Sequence, residues 1–126
     1  MTAKELVASY LSSFESADPD AVASHVAEDF ENDQVSVLAT TCRGREIYRQ
    51  RLAGFLSSFK NLRYTIEEMI EEDDRVAVAY VMHAEDNNHP IEIRGVMIIF
   101  VNNGQITRRS DYWDGLSYQQ QVSRDV

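Results

Sequence analysis

Asp111 is the first residue of this chain whose type and neighbours suggest chemistry. It lies in the run Arg108-Arg109-Ser110-Asp111-Tyr112-Trp113, where an extended backbone puts Arg109, Asp111 and Trp113 on one side. Arg108, Ser110, Tyr112 and Asp114 take the other. A carboxyl among apolar walls loses hydration, which favours its neutral form and can tune it for proton transfer. The same carboxyl at a strand end pointing to water would do neither. Arg109 could keep Asp111 ionised as a base, hold an anionic group such as a carboxylate or enolate, or form a purely structural ion pair. Trp113 could stack on a planar ring or simply pack as core. His83 ends another apolar segment, where an inward imidazole would be a second proton carrier and an outward one a half-exposed strand-end residue.

Other chemistries have little support. Three scattered histidines and the single Cys42 lack zinc-ligand spacing, and the acidic run from Glu67 to Asp74 lacks the glycine and alternation of a calcium loop. Cys42 has no neighbouring base in sequence to make it a reactive thiolate. There is no glycine-rich phosphate loop, no G-x-S-x-G elbow and no dinucleotide fingerprint, so neither metal nor cofactor is expected. A net charge of −9, from 12 basic and 21 acidic residues, repels nucleic-acid backbones and anionic lipid surfaces. The cations between Arg43 and Arg63 read as a solvated helix face. Gly95 to Val101, the longest uncharged apolar stretch, falls far short of the about 20 residues of a membrane-spanning helix. A lone cysteine and the lack of a signal-like opening point to the cytoplasm.

The elements that must position Asp111 follow from periodicity. Leu6, Val7, Tyr10, Leu11 and Phe14 form one helical stripe. Asp18-Pro19 can cap and start a second helix, whose face Val22, Val26 and Phe30 continue. After Gly44, the residues Ile47, Tyr48, Leu52, Phe55, Leu56 and Phe59 make a third stripe ending near Lys60-Asn61. Beyond Asn61 the period becomes 2. Leu62 to Ile70, Arg75–Glu85, Ile91–Val101 and Gln105–Asp114 read as four strands of an antiparallel meander, separated by turn-rich residues. Three helices followed by one curved sheet make an α+β domain of 126 residues, with the helices on one sheet face. The middle strands are apolar on both faces, so the uncovered face is expected to meet a second copy of the chain.

The opening ELVASYLSSFESADPDAVASHVAEDF and the ending GVMIIFVNNGQITRRSDYWDG resemble the NTF2-like superfamily, and within it the SnoaL-like polyketide cyclases. The resemblance spans nearly the whole chain. It implies a cone-shaped α+β barrel around one deep, mostly apolar pocket, and a homodimer. It also implies that Asp111 matches a pocket aspartate serving as acid or base. The first-helix pattern ASYLSSF is similar to ketosteroid isomerases, which implies that Tyr10 donates a hydrogen bond to a developing oxyanion; a phenol suits this as a donor neutral at pH 7. Packing within the apolar stripe is the other reading of Tyr10. Tyr48 could likewise turn its hydroxyl into the pocket or pack as core.

The resemblance fails in places. Where those isomerases carry their general-base aspartate this chain has Gln34, and near their second oxyanion donor it has Val96. Limonene-epoxide-hydrolase-like enzymes pair two aspartates through an arginine, but the strand Arg75–Glu85 offers only Ala, Val, Tyr and Met where the partners should stand. The expectation is therefore a cofactor-independent cyclase, isomerase or lyase acting on a small apolar carbonyl or polyketide-like substrate. Asp111, Tyr10 and His83 would be catalytic, with Arg109, Trp113 and Tyr48 binding substrate. A noncatalytic small-molecule-binding or dimerisation module is the alternative.

Overall fold

The structure is a computed structural model, and it describes residues 1–36 and 38–123. Helix α1 spans Ala3–Ser13 and begins with a reciprocal cap: Thr2 Oγ1 accepts from the Glu5 main-chain N–H and Glu5 Oε1 accepts from that of Thr2. A 3-10 turn at Phe14–Ser16 leads to α2, Pro19–Ala23, capped by Asp18 with Pro19 in its first turn. Helix α3 covers Arg45–Ser58, and its buried stripe is Tyr48, Leu52 and Leu56. Ile47, expected on that stripe, is 48% exposed; one residue from Tyr48 is about 100° around the helix, which turns it to solvent.

The second helix is shorter than the sequence suggests. It stops at Ala23, and Val26–Gln34 is a strand, β1. Val26 and Phe30 are four apart, a separation that keeps two residues on one face of a helix and also on one face of a strand. The short β2, Cys42–Arg43, pairs antiparallel with β1. The long strands follow: β3 (Phe59–Glu72), β4 (Arg75–Asp86), β5 (His89–Asn102) and β6 (Gln105–Trp113). Asn87-Asn88 and Asn103-Gly104 join them with both residues at positive φ, the geometry that matches strand twist in two-residue hairpins. Helix α4, Gly115–Val122, was not foreseen; Asp114 caps it by accepting from Ser117 N at 3.0 Å.

The six strands form one sheet in the order β2-β1-β6-β5-β4-β3. The expected meander is present from β3 to β6, but β1 joins β6 in parallel, so the sheet is mixed rather than antiparallel. It is curved and does not close into the expected barrel, since β2 and β3 remain edges. Helices α1 and α3 lie on one face, α1 against β3 and β4, α3 against β1 and β3. The buried cluster between them includes Val7, Leu11, Val22, Val78, Met97 and Ile99. On the face turned away from α1 and α3, Val96 and Tyr112 pair across β5 and β6 and are 41% and 51% exposed. Among the described residues no helix is long and apolar enough to cross a membrane.

Candidate active site

The inner face of the sheet and α3 enclose a cavity of about 400 Å³, a size typical of small-molecule sites. Its walls are mostly apolar and aromatic, including Phe14, Leu52, Phe55, Phe59, Met82 and Ile93. Asp111 and Arg109 line it from β6, where the alternation read from sequence holds: both are buried, at 3% and 5% exposure. Arg109 Nη2 donates to Asp111 Oδ2 at 2.9 Å.

Two tyrosines not singled out in the sequence complete this polar patch. Tyr80 on β4 donates its O–H to Asp111 Oδ1 at 2.6 Å, so both carboxylate oxygens accept a hydrogen bond. It reaches across β5 because Gly95 is its register partner there. A Cβ at Gly95 would stand 2.6 Å from the Tyr80 hydroxyl and 2.7 Å from the Tyr112 carbonyl oxygen, so only glycine leaves this passage open. Tyr64 on β3 accepts from Arg109 Nη2 at 3.4 Å, and its ring is held edge-to-face by Phe14 and Tyr80. The available signal was the glycine in mid-strand, which marks a close approach, but using it requires knowing the register of three strands.

Tyr10 is fully buried and does not line the cavity. It stands behind the wall, where its hydroxyl accepts from Arg109 Nη1 at 2.9 Å and shares a hydrogen bond with the Tyr48 hydroxyl. Tyr48 does line the cavity, as does Trp113, whose indole N–H donates to Gln34 Oε1 at 3.1 Å. Gln34 and Asn32 reach the cavity because β1 lies parallel to β6, placing them in register with Asp111 and Arg109. The structure does not bring His83 to the site. On β4 the side chains facing the cavity are Tyr80 and Met82, so odd-numbered His83 lies on the opposite face, beside Thr65 Oγ1 at 3.1 Å and Glu92 Oε1 at 3.3 Å.

Burial pushes the phenols of Tyr10, Tyr48, Tyr64 and Tyr80 above their ordinary value, so all four are neutral at physiological pH. Burial also works against the charged form of Arg109, but the oxygens of Tyr10, Asp111, Tyr64 and Tyr48 outweigh it and its value is raised. The site is thus a fixed cation and one carboxylate at the end of an apolar cavity, with the phenols of Tyr48, Tyr64 and Tyr80 in its lining and that of Tyr10 behind it. Among the described residues Asp111 is the only carboxylate that lines the cavity, and no group of His, Cys, Asp and Glu is arranged to hold a metal. Cys42 is buried beneath α3, which pushes its thiol up and leaves it a poor nucleophile.

Among curated protein sequences none matches this chain. Among solved structures, a protein of ketosteroid isomerase-like fold from Catenulispora acidiphila, in complex with trimethylamine, is 20% identical. It superposes with a TM-score of 0.87 and the match covers 97% of this chain and 95% of that one. A candidate SnoaL-like polyketide cyclase from Jannaschia sp. CCS1 is 16% identical, with a TM-score of 0.84 and coverage of 98% and 93%. A candidate polyketide cyclase from Xanthomonas campestris pv. campestris is 25% identical, with a TM-score of 0.78 and coverage of 95% and 96%. At such identities what is shared is the fold. Residues 7–109 match the model of the SnoaL-like domain, which takes in most of the sequence, and the chain belongs to this family of the NTF2-like fold.

Proposed function

We propose that the protein is a cofactor-independent enzyme of proton transfer, a cyclase, isomerase or lyase acting on a small, largely apolar carbonyl or polyketide-like compound. The observation that carries this reading is Asp111 at the polar end of an apolar cavity, with both oxygens accepting from fixed donors. Held in that way, the carboxylate acts as a base. It takes a proton from the carbon next to a carbonyl, and the charge that develops on the carbonyl oxygen falls beside the Arg109 guanidinium. Tyr48 and Trp113 contact the substrate from the walls, and Tyr10 positions Arg109 from behind. The candidate polyketide cyclases among the structural neighbours support the substrate class by likeness of fold.

Epoxide opening is disfavoured, although an LEH-like epoxide hydrolase of M. tuberculosis shares the fold. That chemistry was expected to need a second carboxylate on β4, and here Tyr80 occupies the position facing Asp111. One rival reading is a noncatalytic binding module, in which the close Arg109–Asp111 contact is a structural ion pair. We also propose a cytoplasmic location, in keeping with the single free cysteine, and a homodimer formed through the sheet face that carries Val96 and Tyr112.

The test is exchange of α-hydrogens for deuterium, followed by NMR over a panel of small enolisable ketones and β-diketones. The wild type should catalyse exchange on a subset of them. Asp111→Asn keeps the shape and should slow it about 10²–10⁴-fold. Undiminished exchange in that variant would remove Asp111 as the base, and no exchange by the wild type on any member of the panel would leave the binding module as the better reading.

A further inference from the structure

We propose that Arg51 is the specificity residue of the cavity and that the substrate is an aryl keto acid, with its ketone at Asp111 and its carboxylate at the Arg51 guanidinium. This deepens the reading of the cavity as a substrate site and rests on it. Charge balance carries the inference. Among the described residues, Arg51, Arg109 and Asp111 are the charged members of the lining, so two guanidiniums stand against one carboxylate. Asp111 is already taken by Arg109 at 2.9 Å. A positive charge is left over, inside a chain whose net charge is −9. Arg43, Arg49, Arg75, Arg94 and Arg108 each pair with a carboxylate, whereas among the described residues none pairs with Arg51.

Its position suits the task. By sequence Arg51 falls among the cations of a solvated helix face, but on α3 it is spaced three residues from Tyr48 and four from Phe55, and all three line the cavity. Arg51 is exposed while Asp111 is buried, so one charged group stands at the opening and the other at depth. Arg51 Nη1 donates to the Thr40 carbonyl at 3.3 Å, and Thr40 also lines the cavity. That bond holds one edge of the guanidinium and leaves its remaining N–H groups for a ligand. A planar fork of donors matches a carboxylate.

The two ends sort the groups of a ligand. A carboxylate at the opening keeps part of its hydration, so pairing there costs little desolvation. At the buried end it would have to displace Asp111 from Arg109 or stand beside it as a like charge, which leaves that end to the neutral ketone. The negative charge of the whole chain repels anions at long range, so the preference arises by contact at Arg51 and not by steering. Between the ends the walls are aromatic, Phe14, Phe55, Phe59 and Trp113 among them, which accounts for the aryl part.

The probes are 4-oxo-4-phenylbutanoate, ionised at neutral pH, and its uncharged amide, 4-oxo-4-phenylbutanamide. Binding is read from quenching of Trp113, the single tryptophan of the chain, which lines the cavity. The wild type should hold the acid about 5- to 10-fold more tightly than the amide, between the worth of an exposed ion pair and that of a hydrogen bond to a charged group. Arg51→Gln should abolish that preference without changing the affinity for the amide, and Arg51→Lys should keep part of it. Arg49→Gln, which removes the same charge from α3 outside the cavity, should leave the preference intact. Equal affinity for acid and amide in the wild type would overturn the proposal, as would a preference that survives Arg51→Gln, an equal loss in Arg49→Gln, or failure of both probes to bind. Binding is read here and not turnover, so a failure of Asp111 as the base leaves the result standing; the exchange assay judges that reading separately.

Discussion

Four phenols, those of Tyr10, Tyr48, Tyr64 and Tyr80, surround the Arg109–Asp111 pair, and burial raises each above the ordinary value of 10.0. Alkali therefore probes whether this cluster is as dry as the structure describes. In the unfolded chain the four groups ionise near pH 10, whereas in the folded chain they keep their protons. Above that pH the unfolded state binds fewer protons, so the stability they contribute is fully present below pH 10 and falls as pH rises. Each such group gives a slope of about 1.4 kcal/mol per pH unit, and four together give about 5 kcal/mol per pH unit. A domain stable by about 5–15 kcal/mol exhausts that reserve within about one to three units. Tyrosinate absorbance in the near ultraviolet and far-ultraviolet circular dichroism should be followed together. The four phenols are expected to ionise in one steep step that coincides with loss of secondary structure. Gradual ionisation near pH 10 with the dichroism intact would refute the reasoning, because the cluster would then be open to water. Tyr64→Phe and Tyr80→Phe should each make the step less steep.

Removing one member of the buried ion pair strands the other: Asp111→Leu should cost about 3–5 kcal/mol in urea unfolding, and Arg109→Met with Asp111→Leu should recover most of it. A double variant no better than the single would mean that the pair itself stabilises the fold. Gly95→Ala forces a methyl against the Tyr80 hydroxyl and the Tyr112 carbonyl; a cost of about 1–3 kcal/mol is expected, seen as a lower melting temperature. An unchanged melting temperature would show that Tyr80 has room to move. Sedimentation at micromolar concentration should find a dimer, and Val96→Glu should give a folded monomer; a monomeric wild type would remove the proposed interface.

Much of the architecture was readable because the change of period at Asn61 separates helices from strands, and Arg109 and Asp111 were placed together by alternation alone. What escaped shows why. Val26 and Phe30 fit both periods, so β1 passed for helix, and its parallel pairing with β6 joins segments with no local signal between them. Tyr64 and Tyr80 are ordinary inward strand positions by sequence, and their link to Asp111 and Arg109 exists only through the register of β3 to β6. Tyr10 was singled out by the resemblance of ASYLSSF to ketosteroid isomerases, but a phenol on a buried stripe can point past the cavity as well as into it, and here it points at Arg109. His83 needed the face of its strand to be known, and the burial alternation along β4 supplies it.

The parallel seam between β1 and β6 also fixes when the site can exist. Residues 35–104 lie between the two strands, so joining them closes a long loop, an entropic cost that local hairpins do not bear. The hairpins of β3, β4, β5 and β6 close shorter loops and are expected to form before the seam with β1. A folding intermediate would then already carry Arg109, Asp111, Tyr64 and Tyr80 on the meander while lacking Asn32 and Gln34 on the opposite side. In that interval β6 is a bare sheet edge with unpaired main-chain groups, and any passing strand can pair with it. Association of partly folded chains would therefore begin at the strand that carries Arg109 and Asp111.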